Sequence, residues 1–249
     1  MVQEPTRRTG FSGPTLVRLL ARLTDARFSE PRQSSPDQLS QWLGWADAIE
    51  LSAALKGNPP SALAGTHTPG DAGHSEYARV RETLQQAIAG HDKSAGARQG
   101  ERRRAAARRD PKAPSAAVDY ASYRRRYVAL QQSMENAIAA LRGRLRAMLA
   151  SRSPGAARLA VVDAAMEQAL AERELSQLAR IPALLEVHFR RLREAEQAAL
   201  ADPAAHHGSP AVRGAWLHVF NQDTQRVLLA ELELRLQPVE GLVAALRAG

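Results

Sequence analysis

Leucine and alanine recur every three to four residues through most of this chain, in stretches separated by Gly, Pro and Ser. That period returns a side chain to the same face of an α-helix. The first stretch carries Leu16, Leu19, Leu20 and Leu23 and is opened by Ser12-Gly13-Pro14, a serine cap followed by an early proline. The second is predicted to start at Ser35, which forms a capping box with Gln38 and has Pro36 at the first helical position. Its apolar stripe is Leu39, Trp42, Leu43, Ala46, Ile49, Ala53 and Ala54, widened by Trp45 and Leu51, and Gly57-Asn58-Pro59-Pro60 ends it after Lys56. A short helix is predicted over 75–89, with Tyr77, Val80, Leu84 and Ile88 on one face. The residues around it, 57–74 and 90–117, read as linkers. The second linker contains GARQGERRRAAARRDPKAPSAA, too charged and too poor in apolar residues to bury a face by itself.

From residue 119 the pattern strengthens. Tyr120, Tyr123, Tyr127, Leu130, Met134, Ala137, Leu141, Leu145 and Met148 fall in steps of three and four, reinforced by Ile138. This is a heptad-like seam along one long helix, and it absorbs the three tyrosines. A second long helix is predicted over about 157–200 with Leu159, Val162, Met166, Leu170, Leu178, Leu185, Phe189 and Leu192 inward. Pro182 lies within it and, lacking an N–H, should kink or split it. A third, over 211–236, carries Trp216, Phe220, Val227, Leu228, Leu232 and Leu236. Pro238 is read as the start of a short terminal helix with Val239, Leu242, Val243 and Leu246. Short connections imply antiparallel neighbours. The expected fold is all-α, with a small N-terminal helical unit (1–56), a linker holding the short helix and an Arg-rich segment (57–118), and an antiparallel three-helix bundle (119–249) built on the coiled-coil-like helix.

Composition agrees with helices, since aromatics make up only 4% of the chain and strands favour aromatic and β-branched side chains. Cysteine is absent, which excludes disulfides and thiolate metal sites. The opening MVQEPTRRTG lacks a signal-peptide apolar core, and no apolar run reaches the roughly 20 residues that span a bilayer. A cytoplasmic location without direct membrane insertion is expected.

The net charge is +8, and among the basic residues only Lys56, Lys93 and Lys112 are lysines. The charge is localised, because residues 98–126 hold ten basic and three acidic side chains. Arg102, Arg103, Arg104, Arg108 and Arg109 form one group, and Arg124, Arg125 and Arg126 a second beside the tyrosines. Guanidinium groups bind phosphate in a bidentate fork. The clusters are therefore candidate contacts to a nucleic-acid backbone without base readout. The alternative is a solvated segment whose charge only aids solubility.

Enzyme chemistry finds no foothold. The histidines (His67, His74, His91, His188, His206, His207, His218) show no helical ligand spacing, so no metal is expected. His188 and His218 are expected to pack within the helices or at their edge. No Gly-rich phosphate loop follows a strand, and no GxSxG elbow occurs. Asp47 with Glu50, and Glu172 with Glu174, read as solvated faces. Asn221-Gln222-Asp223-Thr224-Gln225 interrupts an apolar helix and is expected to face water, with a polar recognition patch after Trp216 and Phe220 as the alternative. No catalytic residue and no cofactor are expected.

Two N-terminal stretches carry a family resemblance: FSGPTLVRLLARL at 11–23 and QSSPDQLSQWLGWADAIELSAAL at 33–55, with the paired tryptophans of WLGW. They resemble a bacterial domain-of-unknown-function family similar to the ZorF accessory subunit of type III Zorya anti-phage defence systems. The resemblance implies a non-enzymatic cytosolic subunit, working beside a proton-channel motor of the MotA/TolQ/ExbB type. Its expected partners are a second accessory subunit and duplex DNA; the heptad seam, which can close within one chain or between chains, leaves a second copy of the chain as a further candidate. Protein contacts are expected through Trp42, Trp45, Trp216 and Phe220. A pure helical scaffold that never touches nucleic acid is the competing reading.

Overall fold

The seam that begins at Tyr120 is the axis on which the other helices lie. The computed structural model describes residues 15–24, 43–57, 70–109, 119–201 and 214–248, with the backbone alone at 70 and 91–109. Among these residues seven helices occur and no strand: α1 (Thr15–Thr24), α2 (Trp45–Lys56), α3 (Gly70–Arg109), α4 (Tyr120–Ala150), α5 (Pro154–Leu178), α6 (Ile181–Ala201) and α7 (Ala215–Ala248). The all-α reading holds.

Local chemistry sets the helix starts. Asp119 caps α4 by accepting the Ala121 N–H at 3.1 Å. Ser153 caps α5 at Ala156, with Pro154 in the first turn. Before α7 the chain turns at Gly214, whose φ of 89° is left-handed and whose N–H donates to Glu196 at 2.7 Å; only glycine enters that region without strain. The seam packs as its spacing predicts. Tyr123, Tyr127, Met134, Ile138, Leu141 and Leu145 are buried, and Tyr120, Leu130, Ala137 and Met148 pack against them.

Specific pairs fix the directions. Gly73 lies against Leu145 and Leu246, Glu76 pairs with Arg144, and Tyr77 donates to Glu240. The start of α3 thus meets the ends of α4 and α7, and α3 runs antiparallel to both. Tyr123 meets Phe220 and Arg152 donates to the Leu246 carbonyl, so α4 and α7 are parallel. Asp163 pairs with Arg142 and Arg146, and Gln131 bonds the Leu178 carbonyl, which sets α5 antiparallel to α4. The α1 leucines Leu16, Leu20 and Leu23 belong to the same apolar cluster as the C-terminal helices.

Several expectations need correction. The second helix is not helical through Gly44, where Leu43 bends and Gly44 is extended. The Asp47 carboxylate accepts the Gly44 N–H at 2.9 Å and starts a new helix there; the proposed cap at Ser35 lies outside the described residues. Most of the stripe that falls within the described residues is not buried. Among its described residues Ala54 alone is buried, and Trp45 is 84% exposed, Ile49 55% and Leu55 55%.

Residues 75–89 are not a separate short helix: within the predicted linker region, residues 70–109 form one helix, α3, of 40 residues. Its early turns bury Tyr77, Leu84 and Ile88 as predicted. The continuation passes through the weak helix formers Gly90, Gly96 and Gly100, but its last turns, 101–109, hold only Glu, Arg and Ala, which are strong ones. Extending a helix already nucleated by packing needs little further stabilisation. Leu159, predicted to be inside, is 39% exposed, because α5 turns Ala157 and Ala160 inward instead.

Pro182 splits the second long helix as expected. The chain leaves helix at Ala179–Arg180 and re-enters at Ile181. Pro238, by contrast, does not start a new helix but sits within α7. An internal proline costs about 3 kcal/mol. Burial of Val239, Leu242, Val243 and Leu246 beyond it contributes about 1.5–3 kcal/mol each, so packing outweighs the missing hydrogen bond.

Close approach of α3 to α7 depends on Gly73, where a Cβ would lie 2.7 Å from Leu246 Cδ1 and 3.2 Å from Leu145 Cδ2. Gly143 on α4 has nothing within 4 Å. Gly73→Val is expected to destabilise the fold by about 1–3 kcal/mol through overpacking. Gly143→Ala should stabilise it by about 0.5–1 kcal/mol through helix propensity. Urea denaturation of the two variants measures both signs.

Candidate nucleic-acid interface

The antiparallel register decides where the arginines lie. With Glu76 level with Arg144, a rise of about 1.5 Å per residue puts the first turn of α4 level with about residue 100 of α3. The α3 turns bearing Arg102, Arg103, Arg104, Arg108 and Arg109 therefore continue past the start of α4. Arg124, Arg125 and Arg126 occupy the first turns of α4 at the same end of the bundle. Two clusters on different helices thus fall toward one end of the fold.

The same end of α4 belongs to an aromatic cluster. Phe189 of α6 meets Phe220 of α7 edge-on at 5.1 Å and Trp216 at 4.9 Å between centroids. Tyr123 meets Phe220 edge-on at 5.4 Å, and Tyr120 packs on Phe189. Edge-to-face pairs at these distances add about 0.5–1.5 kcal/mol each beyond area burial. The Tyr120 hydroxyl donates to the Pro182 carbonyl, tying α4 to the first turn of α6. The tyrosines are core residues, as the seam predicts. Arg124 and Arg125 are exposed, and Arg126 is half-buried with its guanidinium 5.6 Å from the Tyr123 ring centroid.

The residues expected to meet a protein partner separate into different settings. Trp42 lies outside the described residues. Trp45 is exposed on the first turn of α2. Trp216 is half-buried on Phe189, and Phe220 is only 1% exposed and serves the core. The polar stretch at 221–225 is also corrected: Asp223 and Thr224 face inward. Asp223 Oδ2 lies 3.0 Å from His188 Nε2, and Asp223 Oδ1 accepts from Arg226 at 3.0 Å. His188 is buried and His218 exposed.

Sequence reading missed the main polar feature of the core. Glu231 on α7 is fully buried. It accepts from Tyr127 at 2.7 Å, from Gln131 at 3.0 Å, and from Arg235 at 2.9 and 3.0 Å. Arg235 also faces Glu174 of α5 at 3.5 Å. One carboxylate thus joins α4 and α7, and its partners reach α5. The signal was present: Glu231 and Arg235 sit one turn apart on the same face as Val227 and Leu228. Away from this network, Arg142 and Arg146 on α4 bind Asp163 and Glu167 on α5.

Burial and the Glu231 charge and hydrogen bond push the Tyr127 phenol well above its ordinary 10.0. Tyr120 is raised by burial and then by Glu186, and Tyr77 by burial and then by its bond to Glu240. Among the described residues no group of three His, Asp or Glu side chains converges to hold a metal, and no helix is long and apolar enough to cross a membrane.

These features define an arginine-rich, all-helical protein with an ionic core and a basic end. The chain matches, over residues 1–248, the family described as a protein of unknown function (DUF3348), and it belongs to that family. No curated protein and no solved structure matches it.

The core network can be tested by substitution and by pH. Glu231→Ala strands a buried guanidinium and should cost about 3–5 kcal/mol. Adding Arg235→Met should recover part of that loss, and chemical denaturation of the single and double variants measures it. A loss below about 1 kcal/mol for Glu231→Ala would contradict the network's role. In addition, the fold holds Tyr127 as the neutral phenol. Its raised pKa therefore contributes stability that is intact below pH about 10 and is lost as pH rises above it. In an alkaline absorbance titration, the last phenolate signal should appear together with loss of the helical circular dichroism.

Proposed function

We propose that this chain is a non-enzymatic cytosolic accessory subunit that grips the phosphate backbone of duplex DNA with its basic end and holds a second accessory protein. The setting would be a Zorya-like anti-phage system, as the N-terminal resemblance implies. The observation that supports the DNA reading is the antiparallel pairing of α3 with α4, which brings the last turns of α3 and the first turns of α4, the segments that carry the two arginine groups, toward one end of the fold. A mobile tether would spread the same charge over many geometries. A continuous helix holds it on one axis, and this lowers the ordering cost of contacting a regular polyanion. The reading predicts salt-sensitive binding with little sequence preference.

A pure scaffold is the second reading, and one feature favours it. Trp45, Ile49 and Leu55 leave apolar surface on α2 exposed, and exposed aromatic surface suits a protein partner.

Fluorescence anisotropy of a labelled DNA duplex across a salt series separates the two. Replacing Arg102, Arg103, Arg104, Arg108 and Arg109 with Gln is expected to weaken binding. The log-log salt slope should become shallower by about 0.9 for each phosphate that the variant no longer neutralises. Unchanged affinity would remove the DNA reading and leave the scaffold. Co-expression with the channel and second accessory subunits of such a system, followed by mass measurement of the complex, tests the defence setting.

A further inference from the structure

Arg126 differs from the arginines of α4 and α7 that are held in ion pairs. Arg142 and Arg146 meet Asp163 and Glu167, and Arg235 meets Glu231. Arg144 meets Glu76 across the α4–α3 seam at 2.5 Å. Arg126 lies five helical turns before Arg144 at 3.6 residues per turn, so it occupies the same α3-facing side of α4. No acid among the described residues pairs with it there. Its Nη1 is buried without a hydrogen-bond partner, while its guanidinium carbon is 5.6 Å from the Tyr123 ring centroid.

A buried donor with no acceptor costs a fold stability, and the cost is greater for a charged group. The ring holds the guanidinium by cation–π attraction, which orients the fork but accepts no hydrogen bond in place of an oxygen. The surroundings are net positive in sequence. The α3 segment level with it, residues 91–109, carries two acids, Asp92 and Glu101, against seven basic residues. Arg124 and Arg125 stand beside it, exposed. Nη1 itself is shut off from solvent, so an incoming anion would meet the accessible part of this half-buried side chain, in the bidentate manner of guanidinium forks.

We infer that Arg126 is the anchoring phosphate site of the basic end, a pre-oriented guanidinium at the α3–α4 seam that takes one backbone phosphate of bound DNA. The exposed arginines then supply diffuse attraction, and Arg126 fixes where on the protein the backbone runs. This rests on the DNA reading above but makes a separate claim, because that reading needs only the collective charge.

The test compares Arg126→Met, Arg126→Lys and the exposed control Arg125→Gln. Two readouts are used, thermal unfolding of the free protein and anisotropy of a duplex of about 20 base pairs over a salt series. Arg126→Met removes an unsatisfied buried donor. The free protein is expected to melt no lower than wild type and up to about 2–4 °C higher. Its DNA affinity should fall about tenfold at fixed salt, a factor set by one charge-assisted fork. The salt slope should become shallower by about 0.9. Arg126→Lys should keep the slope yet lose about threefold in affinity, since it retains the charge without the fork. Arg125→Gln should lose about threefold or less. If Arg126→Met lowers the melting temperature by several degrees and binds DNA no worse than Arg125→Gln, Arg126 is a packing residue and the inference is wrong while the DNA reading stands. If wild type itself shows no salt-dependent binding, both fail together.

Discussion

A single carboxylate with no exposure to water, Glu231, sets the terms for the rest of this fold. Taking a carboxylate out of water costs several kcal/mol even after relaxation. That cost is tolerated only where every oxygen is matched, and here Tyr127, Gln131 and Arg235 supply the donors. Apolar seams accept a slip of a turn with modest loss, because one leucine replaces another. The Glu231 network does not, since a slip of α4 against α7 would strand an anion and a cation in the core. The network thus acts as a register lock on helices that are otherwise leucine-rich and interchangeable.

Register is what gives the arginines a common address. α4 and α7 are locked parallel, and α3 lies antiparallel across both through Gly73, Glu76 and Tyr77. The end of α3 is then carried to the start of α4. The aromatic cluster of Tyr120, Tyr123, Phe189, Trp216 and Phe220 braces that end from three helices. Polar core and basic end are parts of one arrangement: the first fixes the helix positions, and the second is where those positions place the charge.

Periodicity makes the helices from Tyr120 onward legible, because long heptad-like runs have few competing interpretations. It misjudges Pro238, where four buried apolar residues outweigh one missing hydrogen bond. It also misjudges residues 90–109, where low hydrophobicity suggests a linker although Arg and Ala extend a helix already started. Gly44 escapes notice because the apolar stripe continues through it, while Asp47 offers a fresh start. Asp223 and Glu231 are hard to foresee for a common reason. A buried acid is recognisable only with its donors, and those lie on other helices, at His188 and at Tyr127 and Gln131. The arginine clusters themselves are visible in sequence; their shared end requires the register.

The parallel pairing of α4 with α7 has a consequence for how the chain comes to be folded. Tyr127 and Glu231 are 104 residues apart in sequence, whereas the α4–α5 hairpin closes through Arg142 and Asp163 across 21. Contacts of short sequence separation form early and long-range ones late. During synthesis the hairpin can assemble while α3 and α4 still lack α7, which contributes much of the shared core. Until Glu231 and Arg235 have left the ribosome, Tyr127 and Gln131 face an unfilled groove, and the nascent chain keeps that groove open through the 104 residues that separate Tyr127 from Glu231.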